Sequence, residues 1–154
     1  MKITPTLEGG LRVDVEDAGD WFVLRGITRD AVCGDERLSS RLGALITDEE
    51  LSADWRDIVE PELQEGFEAD LAHVAGAIRA AEEAGDGHLW ITPENAWHWY
   101  SALNQARLAL HGIHHFESAD GLSPADLEPA VRGAFVRSRF YCAFQSLLLD
   151  HVMR

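Results

Sequence analysis

Residues 93–111 read PENAWHWYSALNQARLALH, and the spacing of polar and apolar positions along this stretch decides the fold. A helical advance of about 100° per residue gathers Trp99, Leu103, Ala106 and Leu110 into one apolar stripe. Trp97 and Leu108 fall together almost opposite that stripe. A helix that is apolar on two sides belongs between neighbours, so this one is expected to be central, with His98 and Gln105 on its most open face. Thr92 offers a hydroxyl cap and Pro93 a first helical residue, which predicts a helix over 93–111.

The flanking sequence supplies helices to surround it. Ser123-Pro124 repeats the cap-and-proline chemistry, with Asp126 in its first turn, and Pro129 opens a long segment. In that segment Val136, Phe140, Phe144, Leu147, Leu148 and His151 form the expected contact stripe. Upstream, Trp21, Leu24, Ile27 and Val32 predict an amphipathic helix over 18–32 that Gly26 weakens, and a short helix is expected over 35–46. Thr47 and Glu50 have the spacing of a capping box. Leu51, Trp55, Ile58 and Val59 make one stripe after it, and Leu63, Phe67, Leu71, Val74 and Ile78 make another. Pro61 lies between the two and predicts a break or kink, and Gly85 is the expected left-handed cap.

The N-terminus reads differently. KITPTL and LRVDV are short runs on either side of EGG, and Leu11, Val13 and Val15 alternate with Arg12 and Asp14. They predict a β-hairpin over about 2–15, packed on a helical bundle over about 18–153, with GHLWIT as an extended piece that adds to it. No repeat or linker divides the 154 residues, so the expected fold class is mainly α, a single-domain helical bundle with an N-terminal β-hairpin.

Charge and composition narrow the function classes. The net charge is −14, and residues 1–70 carry 18 acidic against 7 basic side chains. Such a surface repels phosphate backbones and anionic lipid, so neither nucleic acid nor membrane is an expected partner. No apolar run approaches the length of a membrane span, and MKITPTLEGG lacks the apolar stretch of a signal peptide. Cys33 and Cys142 match no redox or metal spacing and read as two buried thiols in a reducing cytoplasm.

Two groups on the central helix are candidate functional residues. Asn104, Arg107 and His111 lie between the two apolar stripes, which predicts partial burial and a polar partner for the guanidinium. Glu60, Glu62 and Asp70 are candidate partners; without one, these residues could line a pocket for a small anion. His111, His114 and His115 have i, i+3, i+4 spacing that could converge on a divalent metal, with Glu117 and Asp120 nearby. Gly112 inside that cluster is the expected helix terminator, which favours a capped helix end over a metal site, and no cofactor is expected. There is no glycine-rich phosphate loop, GxSxG elbow or CxxC pair.

AWHWYSALNQARLAL, followed after a loop by an aromatic helix with Gln145 before LLL, resembles the domain-of-unknown-function family 2017. The shared pattern is a Trp (Trp97 or Trp99), then Ala102-Leu103-Asn104 and Arg107-Leu108; EPELQEGFEADL is also similar to the family's middle helix. The resemblance implies a small, mostly helical, cytoplasmic bacterial protein without assigned activity. Family genes often lie beside that of the ClpS protease adaptor, which implies a link to Clp proteolysis. His114 and His115 and the short chain depart from the commoner members, so no role for these histidines is carried over. The expected function is a non-enzymatic interaction or regulatory module, with a protein partner or homodimer. The alternative is a metal-dependent or small-anion-binding enzyme built on Arg107, His111, His114 and His115.

Overall fold

The computed structural model describes residues 1–116, 121 and 123–153. Strands β1 (Lys2–Pro5), β2 (Leu11–Asp14) and β3 (His88–Ile91) form an antiparallel sheet in that order. Among the described residues six α-helices accompany the sheet: α1 (Ala18–Ala31), α2 (Leu38–Gly43), α3 (Glu49–Asp54), α4 (Glu60–Ala84), α5 (Ala96–His114) and α6 (Pro129–His151). The structure is mainly α, and among the described residues no helix is long and apolar enough to cross a membrane.

The hairpin alternation holds. Leu11 faces Ile91 and Val13 faces Leu89 across β2 and β3, and all four side chains are buried. The turn is a five-residue loop rather than a tight one, closed by Thr6, whose hydroxyl accepts the Gly10 N–H at 2.9 Å, with Gly9 at positive φ.

α5 packs against α1, α4 and α6. Ala102, Ala106 and Ala109 are buried and let neighbouring backbones approach, while the fully buried Trp99 ring lies 6.1 Å from Phe144. The second apolar side of α5 is only partly covered: Leu108 is half-buried, whereas Trp97 is 62% exposed and stacks on Tyr100. The face expected to be open is covered instead by α4. Gln105 is 3% exposed and donates to the Phe67 carbonyl and the Ser101 hydroxyl, each at 3.3 Å. A hydrophobicity pattern counts only apolar residues and so misses a face whose polar groups are matched by a neighbour. The helix begins at Ala96, because Asn95 Oδ1 accepts the Thr92 N–H in a preceding turn instead of Thr92 capping the helix.

Pro61 does not break the chain's helix. A π turn, Trp55–Val59, joins α3 to α4, with the Glu60 N–H bonded to the Trp55 carbonyl. The wider turn relieves the clash between the proline ring and the preceding carbonyl while the helix continues. α3 is capped by Asp48, which accepts from Leu51 N, and not by Thr47. Gly85 ends α4 at φ 71° as its position predicts.

α6 is rotated from its expected stripe, with Val136 49% exposed and Tyr141 fully buried. Polar contacts with α1 set that rotation. The buried Asp30 carboxylate accepts from Arg137 Nε at 2.6 Å, Arg137 Nη2 at 3.2 Å and the Tyr141 hydroxyl at 2.6 Å. Burial, then the adjacent carboxylate, hold the Tyr141 phenol far above its ordinary range. Gly26 provides room for this contact, since a Cβ there would lie 3.1 Å from the Tyr141 oxygen. α1 ends at Ala31, which leaves Val32 69% exposed instead of on the expected stripe.

Removing Asp30 strands a half-buried guanidinium and a buried phenol. Asp30→Ala is expected to destabilise the fold by about 2–4 kcal/mol and Tyr141→Phe by about 1–2 kcal/mol. Urea unfolding checks this, with the midpoint lowered and the slope unchanged. The double variant should lose less than the sum of the two.

Candidate functional site

The end of α5 is not at Gly112. The helix runs through it to His114 and stops at His115, which adopts φ 50° and ψ 57°. The Arg41 guanidinium of α2 lies where a side chain at Gly112 would begin, so the glycine marks a close approach rather than a terminus. Arg41 Nη1 donates to the Leu108 carbonyl at 3.3 Å, a cation on the last turns of the helix.

This contact builds one wall of a pocket of about 500 Å³ lined by Arg41, Arg107, Leu108, His111, Gly112 and His115. Among the described residues its lining contains no carboxylate. Arg107 is half-buried as its position predicts, but the partner is Asn104, whose Oδ1 accepts from Nη2 at 3.0 Å. The buried Arg107 Nε has no hydrogen-bond partner. The three expected acids are elsewhere: Glu60 accepts from the Ser40 hydroxyl, Asp70 pairs with His98, and Glu62 is exposed. Among the described residues neither Arg41 nor Arg107 pairs with a carboxylate.

The histidines divide between two environments. His111 and His115 line the pocket. His114 stacks on Phe116 with centroids 5.4 Å apart, and His111 meets the same ring edge-on at 5.3 Å. Among the described residues no group of three or more His, Cys, Asp or Glu is placed to hold a metal ion. Glu117 and Asp120, the carboxylates expected beside such a site, lie outside the described residues.

On the far side of Arg41 a cavity of about 270 Å³ is lined by residues that include Cys33, Asp35, Glu36, Gln64 and Gln105. Cys33 is half-buried, and its thiol donates to the Asp30 carbonyl at 2.8 Å. Burial, then the Asp30 charge, push its pKa upward, so it stays protonated near neutral pH and is a poor nucleophile. Cys142 is exposed, contrary to the expected burial.

An acidic segment follows α2. Between residues 47 and 70 ten Asp and Glu side chains stand against one base, Arg56. The first apolar stripe of this segment is mostly uncovered, with Leu51 60%, Ile58 61% and Val59 39% exposed. Leu45, just before it, is 77% exposed. Trp55 alone turns inward: its indole N–H donates to the Ser39 carbonyl at 3.4 Å, and its ring fills the space beside Gly43.

The sequence pattern of a domain of unknown function, DUF2017, matches residues 24–152. The chain belongs to the DUF2017 family. The match runs from within α1 to the end of α6, and so takes in both the cationic pocket and the acidic segment. No curated protein and no solved structure matches the chain.

One cluster escaped the sequence reading. His73 and His98 lie on α4 and α5, yet their rings stack at 4.3 Å, and Asp70 Oδ1 sits 2.7 Å from His98 Nδ1. The only signal was that Asp70 and His73 are one turn apart on α4. Burial, then the neighbouring His98, lower the His73 pKa from its ordinary 6.5. The unfolded chain therefore takes up this proton first, and stability present above pH ~6.5 is lost as pH falls toward the folded value. Thermal melts between pH 8 and pH 5 should show a fall that is shallower in His73→Gln; identical slopes would contradict this coupling.

Proposed function

We propose that this protein is a non-enzymatic interaction module that offers the uncovered face of α3 and the π turn to a basic, amphipathic segment of a partner protein. The observation that carries this reading is the exposure of Leu51, Ile58 and Val59 within a segment of ten acids and one base. Apolar side chains give a desolvated contact, and the surrounding carboxylates select lysine- or arginine-rich partners and speed encounter. π turns recur at functional positions, and this one brings Ile58 and Val59 outward while Trp55 anchors the segment to α2. The two free cysteines suit the reducing cytoplasm. The link to Clp proteolysis that the family resemblance implies makes ClpS the partner to test first.

Fluorescence anisotropy with a labelled helical peptide, leucines on one face and lysines beside them, tests the surface directly. Binding is expected to weaken at least tenfold with Ile58→Asp and to weaken as salt rises from 50 to 300 mM. A scrambled peptide of the same composition binding equally well would overturn the reading, as would an Ile58→Asp protein that binds like the wild type.

A further inference from the structure

The pocket at the end of α5 is independent of that face and has the opposite sign. We infer that Arg41 and Arg107 form a binding site for the phosphate group of a small phosphomonoester. In a chain of net charge −14, two guanidiniums line one pocket, and among the described residues neither of them pairs with a carboxylate. Asp35, Glu36 and Glu68 line the cavity on the other side of Arg41. Its guanidinium is nevertheless seated over Gly112 and bonded to the Leu108 carbonyl. Asn104 holds the Arg107 fork from one side and leaves Nε, buried, with no acceptor. A phosphate oxygen is the kind of acceptor that such unused N–H groups take, and two guanidiniums match its double charge. The volume of about 500 Å³ exceeds what inorganic phosphate fills, and is in the range of small-molecule sites. The acidic surface elsewhere repels extended polyanions, which favours a small ligand over nucleic acid.

Gly112 provides a variant that keeps both charges. In Gly112→Ala the new methyl would displace the Arg41 guanidinium, a flexible side-chain end, while alanine suits a helix interior better than glycine. Calorimetric titration with glycerol phosphate and with inorganic phosphate, at constant ionic strength in chloride, is the test. Saturable binding of both is expected for the wild type, with glycerol phosphate tighter. Arg41→Gln, Arg107→Gln and Gly112→Ala should each weaken it at least tenfold, and Gly112→Ala should not lower the unliganded melting temperature. The inference fails if the wild type shows no saturable binding or if the arginine variants bind as it does. It also fails if Gly112→Ala binds like the wild type, or if succinate binds as tightly as glycerol phosphate. Peptide binding at Ile58 is expected to survive all three variants, so failure of either reading leaves the other standing.

Discussion

The enclosure of α5 by α1, α4 and α6 is the constraint on which the other features depend. A helix covered on three sides must be thin where backbones approach and must find partners for every polar group it buries. Ala102, Ala106 and Ala109 meet the first demand, and Gln105 meets the second through the Phe67 carbonyl and Ser101. Gly112 extends the same logic to the last turn, where the neighbour that needs room is the Arg41 guanidinium. The close packing that stabilises the bundle thus also brings a second arginine to Arg107.

Short α2 stands between the two charged regions and touches both. Its Arg41 reaches the cationic pocket. Its Ser39 carbonyl accepts from Trp55, the Ser39 hydroxyl donates to Gln64 at 2.8 Å, and the Ser40 hydroxyl donates to Glu60. Six residues therefore link the arginine-lined pocket to the most acidic stretch of the chain.

The sheet and the long helices were legible because their signals are local. Alternation in LRVDV, the proline starts at Pro124 and Pro129, and the glycine cap at Gly85 each depend on neighbouring residues alone. What escaped reading depends on residues distant in sequence. The rotation of α6 follows from Asp30 holding Tyr141 across 111 positions, and the burial of Gln105 from a carbonyl on α4. Gly112 is the clearest case. A glycine near a helix end reads as a terminator, and only the presence of Arg41, far upstream, shows it to be a contact. The half-burial of Arg107 follows from its place between two apolar stripes, while its partner is Asn104, one turn away, and not an acid from another segment.

Arg41 sits on Gly112 within a continuous helix. Solution NMR of the wild-type chain tests it through the carbon shifts of residues 108–114 and the proton contacts of Gly112. Helical shifts through His114 are expected, with cross-relaxation between the Gly112 α-protons and the Arg41 side chain. Coil shifts from Gly112 onward, with no contact to Arg41, would contradict it.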